Sequence, residues 1–163
     1  MKKILHKAAE RGSEDYGWLK TNYSFSFANW YDECRMGFGL LRVLNDDVIA
    51  PQTGFGKHGH KNMEIITIVT HGEVKHLDSM DNNYIVKAGD VQVMSAGLGV
   101  LHAESNESTT EPLRLFQLWI QSKEYNIAPR YAQRSFDFQS VNNNLVPLVH
   151  STKALLINQD AYI

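Results

Sequence analysis

Two short patterns in this sequence carry chemistry: His58-Gly59-His60 and His102-Ala103-Glu104, each a pair of metal-ligating side chains one residue apart. On a β-strand, residues i and i+2 project from the same face with Cα atoms roughly 6.5–7 Å apart, so two imidazoles can lean toward one ion at about 2.0–2.1 Å. On a helix the same spacing would turn them roughly 200° apart, and neither could share an ion with the other. Each pair therefore makes sense as half of a metal site on a strand. A barrel, whose inner faces converge, can bring two such halves to facing positions. A metal ion would also satisfy polar groups that are costly to bury alone. The bland alternative, solvated residues on an outer face or at loop ends, suits either pair by itself and fits the two together less well.

The elements that must position these pairs read as short strands. The segments 38–45 (FGLLRVLN), 63–70 (MEIITIVT), 84–89 (YIVKAG), 90–96 (DVQVMSA) and 112–121 (PLRLFQLWIQ) are rich in β-branched and aromatic residues. Turn signals fall at Asn45-Asp46-Asp47, His71-Gly72, Asp81-Asn82-Asn83, Ala88-Gly89-Asp90 and Gly97-Leu98-Gly99. No window sustains a helical period, so the expectation is an all-β sandwich or barrel. The character changes near residue 125. YNIAPRYAQRSFDFQ (125–139) is mixed and aromatic, VNNNLVP (141–147) is loop-like, and the ending offers one or two more strand candidates. A main barrel over 1–124 and an extension over 125–163 are expected.

Composition narrows the function classes. With 163 residues, a net charge of -2 and scattered Lys and Arg, the chain has no basic face for nucleic acid. The single Cys34 excludes an intrachain disulfide and has no evident activating partner. The start, MKKILHKAAERG, lacks the apolar core of a secretion signal, and no apolar run could span a bilayer, so a soluble cytoplasmic protein without a membrane partner is expected. Among the other histidines, His76 is read as a structural residue bonding near a turn, His71 as a turn residue, and His6 and His150 as surface or edge residues. Phe25, Phe27, Trp30, Tyr31 and Trp119 are read as core.

The segment HGHKNMEIITIVTHG resembles the first cupin motif through His58, His60, Glu64 and Gly72. GDVQVMSAGLGVLHAESN resembles the second through Gly89, Gly97, Gly99, His102 and Asn106. Within the cupins, the stretches RGSEDYGWLKTNYSFSFANWYD, MGFGLLRVLNDDVIAP, GFGKHGHKNMEIITIV and PRYAQRSFD are similar to the pirin family, in the right order over about 11–137. The resemblance implies a jelly-roll-like cupin β-barrel that binds iron through His58, His60, His102 and Glu104. In many other cupins the first-motif glutamate is the carboxylate ligand. Here that residue, Glu64, would lie roughly 13 Å beyond His60 on a straight strand, so it is expected beside the metal's ligands or as an alternative ligand. The sequence departs from the family in Gly59, where proline is common, and in Lys61, where arginine is common. Pirins also carry a second cupin, of which the ending looks like the opening, so a one-barrel form is expected.

Mixed nitrogen and oxygen donors suit Fe(II), and also Mn, Co, Ni, Cu or Zn. The resemblance implies a quercetin 2,3-dioxygenase-type activity on a flavonol-like or other enolate substrate, with Glu104 as ligand and as base for the substrate hydroxyl. A different class of function, also known among pirins, is a non-enzymatic iron-dependent redox sensor with a protein partner in transcription or metabolism. Unpaired strand edges in the extension suggest a homodimer.

Overall fold

The run Met63–His71 shows why this chain becomes a sandwich. Its β-branched residues alternate between two directions, and Ile65, Ile66, Thr67 and Val69 are buried, so both faces of the strand must be covered. The computed structural model describes residues 5–138, 144–150 and 154–163. Its strands are β1 (Gly12–Asp15), β2 (Leu19–Tyr23), β3 (Leu41–Ile49), β4 (Thr53–His60), β5 (Met63–His71), β6 (Glu73–Asp78), β7 (Asn83–Lys87), β8 (Asp90–Ser95), β9 (Val100–Asn106), β10 (Leu113–Gln121) and β11 (Arg130–Ser135). They form a seven-stranded sheet, ordered β1-β2-β3-β10-β5-β8-β11, and a four-stranded sheet, ordered β4-β9-β6-β7. Every strand pairing is antiparallel. The expected all-β, jelly-roll-like architecture holds, as two facing sheets rather than one closed ladder. Among the described residues no helix is long and apolar enough to cross a membrane.

Inside the sandwich, Ile49, Val69, Val74, Val86, Leu113 and Leu115 form an apolar floor at one end. Ile65, Met94, Ala96 and Val100 close the other end. The outer face of the seven-stranded sheet is apolar too. Ile66, Val91, Val93, Leu118 and Ile120 are covered there by Val149 and Leu155 with Ile157 and Ile163. Among the described residues, the expected strand candidates at the end of the chain reduce to one parallel bridge, Val149 to Leu155. Residues 151–153 of that stretch, and 141–143 of the expected loop, lie outside the described residues.

The turn expectations hold at His71-Gly72, Gly89 and Gly97–Gly99, where the glycines adopt positive φ. They fail at Asn45-Asp46-Asp47. These residues sit inside β3, which runs on to Ile49. Pairing on both edges, with Thr21 opposite Asp47 on β2 and Gln117 opposite Asn45 on β10, overrides the local turn propensity.

Candidate metal centre

The first histidine pair owes its aim to an irregularity in β4. Phe55 pairs with Glu104 and His58 with His102, so three steps along β4 match two along β9, a bulge at Gly56-Lys57. The extra residue brings Phe55 and His58 to the same inner face despite their odd spacing. His58 Nδ1 lies 2.8 Å from the Gly56 carbonyl. A carbonyl only accepts, so Nδ1 carries the hydrogen, which leaves Nε2 as the atom that can ligate. Close approach of the two strands is permitted by Gly54, where a Cβ would strike the Glu104 carbonyl and Ser105.

On β9, Val100, His102, Glu104 and Asn106 alternate inward, as the two-residue spacing requires. The rings of His58, His60 and His102 stand 4.4–4.9 Å apart between centroids. Each offers a nitrogen within 4.8 Å of the others. The two halves meet differently from the expectation of facing positions: they are neighbours in one sheet, with His58 directly across the ladder from His102. Burial, reinforced by the neighbouring His58, pushes His60 down to about 4. Burial and the surrounding histidines push His102 down to about 3. Both rings are neutral at physiological pH, which is the ligating form. Both nitrogens of His102 are buried without a hydrogen-bond partner.

Glu104 is fully buried, and burial raises its pKa. It reaches across the sandwich to three donors of the seven-stranded sheet. Gln117 Nε2 donates to Oε2 at 2.9 Å, Thr67 Oγ1 to Oε1 at 3.4 Å, and Gln92 Nε2 also to Oε1. The amides are themselves oriented, since Trp119 Nε1 donates to Gln117 Oε1 at 2.9 Å and the Tyr131 hydroxyl to Gln92 Oε1 at 3.1 Å. Glu104 groups within 4.8 Å of His102 and His76, so it joins the three-histidine cluster through His102.

His76 hydrogen-bonds beside a turn, as its sequence reading expects, and also groups with His102 and Glu104. It is fully buried on β6, directly across from Glu104, with Nε2 2.9 Å from the Asp78 carboxylate. Asp78 is held in turn by the Met80 and Asn82 backbone amides. The signal was present: His76-Leu77-Asp78 repeats the one-residue spacing of the two ligand pairs. Glu64 goes the other way. It lies an odd number of residues from the inward Thr67 and so projects to the outer face. There it accepts from Ser95 Oγ at 2.5 Å, Ser122 Oγ at 2.6 Å and the Asn158 amide at 2.9 Å. It belongs to neither ligand group: the chain does bend at Lys61-Asn62, where Asn62 has a positive φ, but parity along β5 turns the Glu64 side chain outward.

Beside the cluster lies a cavity of about 410 Å³, reached by His58 and Glu104 and walled by Trp18, Phe27, Phe55 and Trp119. Trp119 meets His60 edge-on at 4.8 Å and Phe27 at 5.3 Å. Of the aromatics expected in the core, Phe25 is buried, Phe27 and Trp119 line this cavity, and Tyr31 is exposed. No lysine or arginine lines the space, so no side-chain cation balances the buried carboxylate. Neutral imidazoles, a buried carboxylate and unpartnered ring nitrogens together fit a divalent cation.

Comparison with known proteins agrees with this geometry. A family model described as Pirin matches residues 5–120. The quercetin 2,3-dioxygenase of Escherichia coli (strain K12) is 56% identical over 133 residues, which cover 82% of this chain and 58% of that protein. A pirin-like protein of Caulobacter vibrioides is 45% identical over 156 residues, covering 93% of this chain and 67% of that one. The structure of the bacterial pirin YhhW from Escherichia coli in complex with nickel(II) superposes with a TM-score of 0.89 at 46% identity, covering 96% of this chain and 67% of the other. The chain thus spans little more than half the length of the first of these relatives.

Proposed function

This chain belongs to the pirin family, and on that premise we propose that it is a cytoplasmic iron-dependent dioxygenase acting on a flavonol-like or other enolate substrate. The observation that carries the reading is the meeting of three imidazoles and a buried carboxylate at one side of an aromatic-walled cavity. His58, His60, His102 and Glu104 would hold one divalent metal, with Fe(II) preferred over Mn, Co, Ni, Cu or Zn. Bound there, the metal would supply Lewis-acid and redox chemistry.

The chain's own residues supply the rest. Gly56 fixes the His58 tautomer, and Gln92 and Gln117 fix the Glu104 carboxylate. Glu104, raised by burial, is suited to take the proton of a substrate hydroxyl. Phe27, Phe55 and Trp119 form apolar walls that would orient an aromatic ring and keep water from it. Oxygen uptake by Fe(II)-loaded protein with flavonols tests the reading. Uptake above the metal-free background, lost in His102→Ala, is expected. A loaded protein that consumes no oxygen would exclude the enzyme.

A second reading is a non-enzymatic, iron-dependent redox sensor. Its support is that His58 and His60 are only partly buried, so a bound ion would sit where a protein partner could feel its oxidation state. Partner capture that follows the iron redox state and disappears in His58→Ala would favour it. We also take 125–163 as an extension of a barrel over 1–124 and as the contact for a homodimer, supported by the exposed Leu145, Leu156 and Tyr162. Light scattering showing only monomer would remove the dimer.

A further inference from the structure

The wall of the cavity contributed by the seven-stranded sheet carries a feature that the fold does not need. Along β3 the inward residues are Val43, Asn45, Asp47 and Ile49, so two polar side chains interrupt an apolar row. Thr21 on β2 lies directly across the ladder from Asp47. These three residues are 2%, 5% and 3% exposed in chain order. Thr21 Oγ1, Asn45 Oδ1 and Asp47 Oδ1 make no hydrogen bond of ordinary geometry in the protein, the Thr21 hydroxyl lying near enough to Asp47 only to favour its charged form.

A buried acceptor left without a donor destabilises a fold, and apolar residues at 45 and 47 would continue the pattern of Val43 and Ile49. All three residues line the same cavity as His58, Glu104 and Trp119. The cavity offers them neither lysine nor arginine. Their complement is therefore a ligand that brings its own donors. A carboxylate, an amide carbonyl and a hydroxyl oxygen together accept hydroxyl hydrogens. The aromatic walls require that the group bearing those hydroxyls be flat and otherwise apolar.

We propose that Thr21, Asn45 and Asp47 form a hydroxyl-reading subsite, which makes the protein select aromatic ligands whose ring hydroxyls reach the β2–β3 wall of the cavity. The proposal rests on the reading of the cavity as a flavonol-type substrate site and adds a determinant of which aromatic is taken. A metal held by the histidines and Glu104 would attract a ligand through its charge. The β2–β3 wall distinguishes a hydroxylated ring from a bare one, since a bare ring would leave the buried acceptors unanswered.

Isothermal titration of the Ni(II)-loaded chain with two flavonols tests this: quercetin, and the flavonol of the same skeleton without hydroxyls on its pendant ring. Quercetin is expected to bind at least about tenfold more tightly. In Asp47→Leu the two affinities should converge to within about twofold through loss of quercetin binding, since one acceptor of the subsite is gone. Asp47→Asn keeps an acceptor oxygen and should show an intermediate preference, which provides the test even if the leucine variant does not fold. Equal affinities in the wild type, or a preference unchanged in both variants, would overturn the subsite while leaving the substrate reading intact. Failure of either flavonol to bind the loaded protein would overturn both.

Discussion

Replacing Asp47 by asparagine in metal-free protein has a worked consequence for stability. Burial raises the Asp47 carboxyl from the ordinary 3.8 to about 6, with the nearby Thr21 hydroxyl opposing the rise and the Glu104 and Asp46 charges adding to it. A raised value in the folded state means that the folded protein holds this proton more tightly than the unfolded chain does. Ionisation therefore costs stability, a cost that is absent below about pH 3.8 and complete above about pH 6. At ~1.4 kcal/mol per pH unit, the gap between 3.8 and about 6 corresponds to about 3 kcal/mol. Asparagine keeps the shape and does not titrate. Asp47→Asn should match the wild type near pH 4 and exceed it by up to about 3 kcal/mol near pH 8. Urea unfolding followed by tryptophan fluorescence, with a chelator present, reads this as a rise in midpoint at unchanged slope. A stability difference that does not grow with pH, or a variant less stable than wild type near pH 8, would refute the reasoning.

Other consequences follow from the same geometry. His102→Ala should weaken Ni(II) binding by at least about 100-fold in a calorimetric titration with the strand signal in circular dichroism retained, because it removes the side chain shared by both ligand groups. Asp78→Asn, which releases the His76 ring, should weaken the same binding by about tenfold; an unchanged affinity would show that His76 plays no part in the centre. Glu64→Gln should leave Ni(II) affinity unaltered but lower stability by about 1–3 kcal/mol in urea, since its partners hold the outer face; a fall in metal affinity would contradict its placement. Gly54→Ala should cost about 1–3 kcal/mol by driving β4 from β9 at Glu104, and a neutral effect on the urea midpoint would speak against that close approach.

The strands were legible where local pattern and tertiary demand agree. Met63–His71 and Leu113–Gln121 announce themselves by β-branched and apolar runs, and the glycine turns by the positive φ they require. The inward aim of His102 and Glu104 followed from two-residue spacing alone. Local chemistry misled at Asn45-Asp46-Asp47, which has the composition of a turn but is held extended by partners on both sides. Two of the polar residues that made it look like a turn, Asn45 and Asp47, line the cavity. Glu64 was misplaced for a different reason. Motif spacing places it near the histidines, whereas pleat parity decides which side of the sheet it serves. The bulge at Gly56-Lys57 leaves no composition signal beyond a glycine, so the shared face of Phe55 and His58 could not be counted out in advance.

The bond network of Glu104 has a mechanical consequence. The histidines belong to the four-stranded sheet, and the groups gripping Glu104 belong to the other. The carboxylate is thus a crossbar between two plates, one backed by Val149, Leu155, Ile157 and Ile163 and the other bare to solvent at Leu77, Tyr84 and Leu101. An ion seated on Glu104 and the histidines would brace that crossbar, and prying the plates apart would loosen the ion. Loading the centre should accordingly slow amide hydrogen exchange in β4 and β9 well beyond the ligands themselves, coupling occupancy to the stiffness of the thinner plate.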